Sequence, residues 1–231
     1  MKVFWTDVAV TAVEDGHGVA LDGRPIRTPA KALLTVPTQA LAEALAAEWR
    51  AQDDRIHPDQ MPLTRAANTA IDRVSRAVEA VTAEIADFGD SDLICYRARH
   101  PAALAAREAE LWDPLVDWSA STLGARLDVM EGLMHRSQPA ETQAVFRDAV
   151  ARHSMWELTA LHDLVTLSGS LVIGLAISHG HLTAAEAWPL SRIDEDWNIA
   201  EWGEDAEAAD VARRKHAAFT DADRLLTLLR S

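Results

Sequence analysis

The residues of this chain that are able to do chemistry are nine histidines, one cysteine, a Ser-Gly-Ser segment and many carboxylates. His179 and His181 flank a glycine, and they lack the i, i+4 helical spacing and the nearby carboxylate of zinc-binding helices. A single cysteine, Cys95, cannot build a structural zinc site, and the residues beside it include no partner base. We therefore expect surface histidines, a half-buried structural cysteine and no bound metal.

Nucleotide and hydrolase motifs are absent from the sequence. It contains neither a GxxxxGK[ST] loop nor a GxGxxG turn after a strand. Ser168-Gly169-Ser170 lacks the glycine pattern of a nucleophile elbow and fits a close approach of two helices better. Carboxylates this numerous occur on any solvated face, so their spacing alone does not select an acid and a base. These absences predict a protein that is not an enzyme and holds no cofactor.

The formal net charge of −14 is the most unusual property of the composition. Nucleic acids and anionic membrane surfaces would repel such a chain, whereas a partner with a basic patch would be attracted. The most apolar stretch, Leu171 to Ile177, is too short to span a bilayer, and the first residues lack the apolar core of a signal peptide. With one cysteine and far more Arg than Lys, the chain is expected in a bacterial cytoplasm.

An acidic segment, residues 194–207, contains no Lys or Arg, and eight acidic residues lie between Asp194 and Asp210. Such like charges repel one another, and they support a helix only in its first turn. Tryptophans rimmed by charge are typical of binding hot spots, although a merely solvated face is the alternative. We predict that this segment binds a partner through Asp194, Glu195, Asp196, Trp197, Trp202, Glu204, Asp205 and Glu207.

Basic residues form two further groups. Arg24, Arg27 and Lys31 lie near a predicted hairpin, and Arg97 begins a second group that includes Arg99, His100 and Arg107. Two interpretations remain open for them: pairing with the acidic segment inside the molecule, or a site for an anion.

The elements that would position these residues begin with strands. Asp22-Gly23 between alternating apolar flanks predicts a β-hairpin, and Pro25 places the second strand at a sheet edge. From residue 38 onward helices dominate, beginning with one over residues 39–51 and a long amphipathic helix over residues 67–85.

A proline and a capping motif give information on the helices in the second half of the chain. Pro114 lies inside a helical pattern, so we expect a kink or break near Trp112. Thr183 and Glu186 fit a capping box that opens a later helix. The order of elements predicts an α+β protein, with a small N-terminal α+β domain containing the hairpin (residues 1–92) and an all-α helical C-terminal domain (residues 93–231).

Seven segments, in order along nearly the whole chain, resemble the ATP12 family of assembly chaperones for the F1 sector of ATP synthase. They are residues 21–29 (LDGRPIRTP), 47–49 (AEW), 61–65 (MPLTR), 92–97 (DLICYR), 112–115 (WDPL), 169–171 (GSL) and the acidic segment with Trp202-Gly203. Asn198 departs from the family, which tends to have Gln there. The resemblance implies a small α+β N-terminal domain, a helical C-terminal domain and transient binding to the F1 α subunit. We also predict that the protein is a monomer. The absence of a transit extension fits a bacterial member.

Two other classes of function stay open from the residues alone. An enzyme or small-molecule binder would place its site in the cleft between the domains, where Arg24, Arg27, Arg65 and Arg97 would hold a carboxylate or phosphate. An adaptor would bind a protein other than F1.

Overall fold

The computed structural model describes residues 2–132 and 134–231. Over these residues the chain is a mixed α+β structure that is mostly helical, which confirms the predicted fold class. The chain divides into two compact units. Unit one contains the residues up to Val78 with Ser154–Ala160 and Arg224–Ser231, and unit two contains Glu79–His153 and Leu161–Asp223. The domain boundary after residue 92 stays a prediction.

A small antiparallel sheet begins unit one. Its strands are β1 (Val8–Val13), β2 (Gly16–Leu21), β3 (Arg24–Pro25) and β4 (Thr35–Val36), and β2 pairs with each of the other three. Asp22 and Gly23 form the turn between β2 and β3 with φ of 47° and 75°. Two positive φ angles are what this two-residue turn requires, so the hairpin prediction is confirmed. Pro25 lies on β3, at the end of the strand order β1-β2-β3, as expected for a residue without an N–H.

Helices cover this sheet in unit one. Helix α1 (Gln39–Arg50) packs on β1 and β2, and α2 (Pro62–Asp72) packs on α1. The single helix predicted over residues 67–85 is wrong, because a short 3₁₀ turn (Val74–Arg76) separates α2 from α3 (Val78–Asp87). The Ser75 hydroxyl donates to the Ile71 carbonyl at 2.6 Å, a local bond that competes with the regular helix.

Unit two is a set of helices around a buried apolar core. A short parallel pair, β5 (Tyr96–Arg97) and β6 (Met130–Glu131), precedes and follows its first long helix. The helices of this unit are α3 from Glu79 onward, α4 (Ala102–Trp118), α5 (Ala140–Ala151), α6 (Met155–Ser168, whose first turns belong to unit one), α7 (Leu171–Ser178), α8 (Ala184–Leu190), α9 (Ile193–Trp202) and α10 (Ala206–Leu229, whose last turns belong to unit one).

The chain does not break near Trp112, since α4 runs through Pro114 to Trp118 before a π-helical turn (Ser119–Leu123), and the kink stays a prediction. Its buried stripe of Leu104, Trp112 and Leu115 continues on both sides of the proline and holds the helix in place. The capping box at Thr183 is confirmed at the start of α8. In the described residues, no helix combines the length and apolar character needed to cross a membrane.

Candidate protein-binding site

The acidic segment folds into two helices, and Gly203 separates them. Gly203 ends α9 with φ of 90°, a conformation that favours glycine, and α10 begins three residues later. The Asp205 carboxylate accepts a hydrogen bond from the Ala208 N–H at 2.8 Å and so caps the start of α10. Because Gly203 breaks the segment in two, most of its acids lie at or near the start of a helix, whereas Glu201 lies in the last turn of α9.

Two helix N-termini account for part of this acidic composition. Asp194, Glu195 and Asp196 occupy the first turn of α9, and Glu207 occupies the first turn of α10. Carboxylates near a helix N-terminus are stabilised by the helix dipole by about 0.3–1 kcal/mol each. The helix dipole therefore explains why these residues are acidic. It does not explain why several of them have no basic partner in the described residues.

A groove of about 1070 Å³ lies beside α9 and the first half of α10. We call it the acidic groove. Its apolar wall includes Trp188, Ile199, Trp202 and Val211, and the Trp202 side chain is 79% exposed. Six acidic residues also line it, and these are Glu195, Asp196, Glu204, Asp205, Glu207 and Asp210.

Only some of these acids are neutralised within the molecule. Arg192 pairs with Asp196 at 3.4 Å, and Arg213 pairs with Asp210. In the described part of the chain no ion pair reaches the other acids of the acidic groove, which are Glu195, Glu204, Asp205 and Glu207. Lys215 is the remaining Lys or Arg among the lining residues, so the acidic groove keeps a negative charge.

The structure brings six of the eight predicted binding residues together in this groove and leaves two outside it. Trp197 is half-buried and does not line the acidic groove. Asp194 faces the interior of unit two, where its carboxyl group contacts that of Glu108 on α4. The six that line the groove are Glu195, Asp196, Trp202, Glu204, Asp205 and Glu207.

Glu108 is a residue that the sequence analysis missed. It is 1% exposed, and its carboxyl accepts the Ala98 N–H at 2.7 Å. Burial, reinforced by the neighbouring Asp194 carboxyl, raises the pKa of Glu108 to about 7, although nearby Arg97 opposes the rise. No N–H or hydroxyl group in the described residues donates to the buried Oδ1 atom of Asp194, and two carboxyl groups this close are favoured when one of them carries a proton. Glu108 lies four residues from both Leu104 and Trp112, so its place on the buried face of α4 could have been recognised from the sequence.

Most of the other segments singled out in the sequence hold one another in place. Asp22 accepts both N–H groups of Thr6 and Asp7, at 3.0 and 2.9 Å, and fixes the strand that precedes the hairpin. Glu48 is buried and accepts the N–H groups of Leu63 and Thr64, each at 2.8 Å, which caps α2. The hydrogen bonds of these polar side chains therefore stabilise the fold.

Unit two contains the same kind of internal pairing. Asp92 is fully buried and accepts the Val172 N–H at 2.9 Å at the start of α7, and its burial raises its pKa to about 6. Arg97, also buried, donates to Asp113 at 2.9 Å, and its guanidinium lies 5.1 Å from the Trp112 ring centre. Arg97 is therefore engaged and is not free to hold an anion.

The remaining candidates for chemistry are also engaged in packing. Cys95 is fully buried rather than half-buried, and burial raises the pKa of its thiol well above the usual range, which keeps it unreactive. Ser170 caps α7 by accepting the Ile173 N–H at 3.0 Å. His179 and His181 both contact the Trp118 ring, with centroids 5.8 and 5.2 Å away. No group of three metal-ligating side chains occurs among the described residues.

The exposed Trp202 ring, with acids around it that have no ion-pair partner in the described residues, makes this surface of α9 and α10 similar to a protein-binding hot spot. The model of the family described as "ATP12 chaperone protein" matches residues 2–120 of this chain. The chain therefore belongs to the ATP12 family.

Solved and curated relatives agree with this assignment. Atp12 from Paracoccus denitrificans is 45% identical, with a TM-score of 0.96 over 99% of this chain and 98% of that one, and a mutant form of the same protein superposes equally well. The Atu1473 protein of Agrobacterium tumefaciens is 44% identical, with a TM-score of 0.92 over 99% of this chain and 85% of that one. The mitochondrial protein atp12 of Schizosaccharomyces pombe is 26% identical over 95% of this chain and 80% of its own length.

Proposed function

We propose that this chain is an assembly chaperone, not an enzyme, that binds the unassembled α subunit of F1 ATP synthase. In this proposal it acts as a cofactor-free monomer in a bacterial cytoplasm and shields the subunit interface of α until the hexamer forms. A lone α subunit would expose an apolar face that β later covers, and such surfaces aggregate. Moderate affinity suffices for this task, because β offers α a larger interface.

The observation that carries the proposal is a contrast between two kinds of polar residue. Asp22, Glu48, Asp92 and Arg97 are all used by the fold, as their hydrogen bonds show. The acidic groove instead presents the exposed Trp202 ring and acids that have no ion-pair partner in the described residues. Because the fold leaves the Trp202 ring exposed and several of these acids without an opposite charge in the described residues, this surface is the best candidate for contact with a partner.

The rival function, an anion-binding enzyme, loses its support in this structure. Arg97 was one of the four basic residues assigned to that site, and it is 8% exposed and paired with Asp113. Arg24, Arg27 and Arg65 are exposed side chains. No observation on them favours a bound carboxylate or phosphate.

Charge reversal in the acidic groove tests the proposed binding surface. Glu195 is exposed, lines the acidic groove and has no ion-pair partner among the described residues. Replacing it by Lys should slow association with purified F1 α subunit by roughly 3- to 10-fold at low salt, because steering between complementary charges is lost. The difference should shrink between about 0.1 M and about 1 M salt, where the Debye length falls from about 10 Å to about 3 Å.

Glu110→Lys is the matched control for this experiment. Glu110 is exposed on α4 and lies outside the residues that line the acidic groove, and its reversal changes the net charge equally. Equal slowing by the two substitutions would mean that only net charge matters. Unchanged association of Glu195→Lys, with an unchanged melting temperature, would mean that these acids are a solvated face.

A further inference from the structure

The acidic groove has walls made of helices, and this limits what it can bind. The backbone N–H and C=O groups of α9 and α10 are used inside the helices, so a partner cannot add a strand to an exposed sheet edge here. Among the common modes of peptide recognition, an amphipathic helix laid into an apolar groove makes its contacts through side chains, as these helical walls require.

We propose that the acidic groove receives a basic amphipathic α-helix of the partner protein. One large apolar side chain of that helix would pack on Trp202 and Ile199. Lys or Arg residues on either side would meet Glu195, Glu204 and Glu207. This inference rests on the proposed function, because it names the part of the partner that the same surface recognises.

The dimensions of the groove fit such a helix. A helix with its side chains is about 10 Å across and rises about 1.5 Å per residue, so roughly nine residues fill a space of this size. Its volume of about 1070 Å³ is at the upper limit for small-molecule pockets, which usually hold about 300–1,000 Å³. Roughly nine residues are two to three turns, which place one apolar residue at the centre and basic residues one turn to each side.

Charge selects the class of partner. Of the nine lining residues that carry a full charge, six are acidic, and two of the three basic ones, Arg192 and Arg213, are already paired with Asp196 and Asp210. Among the described residues, the charged groups of the groove that have no ion-pair partner are therefore four acids and Lys215. Nucleic acid and anionic lipid would be repelled by this set, and a second copy of this chain, with its net charge of −14, would be repelled as well. A basic helix is the occupant that these charges attract.

Trp202 should supply most of the affinity. Its ring is exposed in the free protein, and burial of a tryptophan at the centre of an interface commonly contributes more than 2 kcal/mol, which corresponds to a factor of about thirty in Kd. We therefore expect Trp202→Ala to weaken binding of the F1 α subunit at least about 30-fold, whereas Trp202→Phe should retain most of the affinity. Met134→Ala is the control, because Met134 is 81% exposed but lies outside the acidic groove.

The nature of the partner segment is tested by site-specific photo-crosslinking. A photoreactive phenylalanine derivative at position 202 of the full-length protein is irradiated in complex with purified F1 α subunit, and the linked peptide is identified by mass spectrometry. The inference predicts a single helical segment with a large apolar residue flanked by Lys or Arg at helical spacing. A link to a strand or to an acidic segment would overturn it.

The outcomes separate this inference from the proposed function. If α is captured and no crosslink forms at position 202, or if Met134→Ala weakens binding and Trp202→Ala does not, the interface lies elsewhere and the inference is wrong, although α remains the partner. If wild-type protein fails to capture α at all, the proposed function itself fails. Circular-dichroism melting curves of all variants show that each one is folded before it is used.

Discussion

The buried carboxyl pair on α4 and α9 makes the stability of the protein depend on pH. Glu108 has a pKa of about 7 in the folded protein, compared with an ordinary value of 4.5. Between these values the folded chain holds a proton that the unfolded chain releases, so stability decreases as the pH rises through this window. Above pH 7 the folded protein carries the full cost of a charged, buried carboxylate beside Asp194.

Glu108→Gln keeps the shape of this side chain and removes its charge. The amide oxygen can still accept the Ala98 N–H, and the amide nitrogen can donate to Asp194, as the protonated carboxyl does in the wild type. A shift from 4.5 to about 7 corresponds to about 3 kcal/mol, at about 1.4 kcal/mol per pH unit. The variant should therefore be more stable than wild type by up to about 3 kcal/mol at about pH 8.5, and by almost nothing at about pH 4.5.

Thermal unfolding followed by circular dichroism measures this difference. A gain of about 3 kcal/mol should raise Tm by roughly 6–12 °C for a chain of this size. Asp92, whose pKa is also raised, to about 6, is present in both proteins, so the comparison isolates Glu108. Glu110→Gln, on the exposed side of α4, is the matched control and should leave the pH profile unchanged. A Glu108→Gln variant with the wild-type Tm at about pH 8.5, or with the same gain at about pH 4.5, would refute the account of this pair.

Two further substitutions test the local structure of unit one. Gly23→Val should lower the stability by about 1–3 kcal/mol, because Gly23 has φ of 75° and a β-branched residue is strained there although no atom lies within 4 Å of the added Cβ. An unchanged urea midpoint would show that the turn conformation is wrong. Glu48→Ala should cost at least about 1–3 kcal/mol, because the N–H groups of Leu63 and Thr64 lose their acceptor in a buried place. Glu43→Ala, half-exposed on the same helix, should cost less than about 0.5 kcal/mol, and equal losses from the two substitutions would contradict the assigned cap.

Local chemistry explains which elements were predictable from the sequence. The hairpin at Asp22-Gly23 and the capping box at Thr183 depend on residues within four positions of each other, and both are confirmed. The apolar spacing of Leu41, Leu45 and Trp49 likewise predicted α1 to within one residue of its end. Such signals need no knowledge of the remainder of the chain.

Predictions failed where periodicity and backbone chemistry compete. The apolar spacing continues from Ala67 to Ile85, yet the chain leaves the helix after Asp72, where Ser75 bonds to the Ile71 carbonyl. At Pro114 the opposite occurs, since burial of Trp112 and Leu115 holds the helix together despite the proline. In both places the backbone conformation depends on free-energy differences of about a few kcal/mol, and the spacing of apolar residues does not reveal them.

The candidate site was only partly predictable for a different reason. The exposed acids and Trp202 stand out in the sequence because a run of acids with no Lys or Arg is unusual. The structure groups these residues in one groove. The inward orientation of Asp194 depends on its contact with Glu108, which belongs to a helix much earlier in the chain. Sequence proximity made Asp194, Glu195 and Asp196 look equivalent, although they face different surroundings on α9.

The measurement that tests the central proposal most directly is competition between this protein and the F1 β subunit for α. Purified protein is mixed with isolated α subunit, the complex is isolated by size-exclusion chromatography with light scattering, and β subunit is then added in increasing amounts. The proposal predicts a one-to-one complex with α, followed by release of the monomer as α and β assemble. Absence of a complex with isolated α, or a complex that β leaves intact, would contradict it.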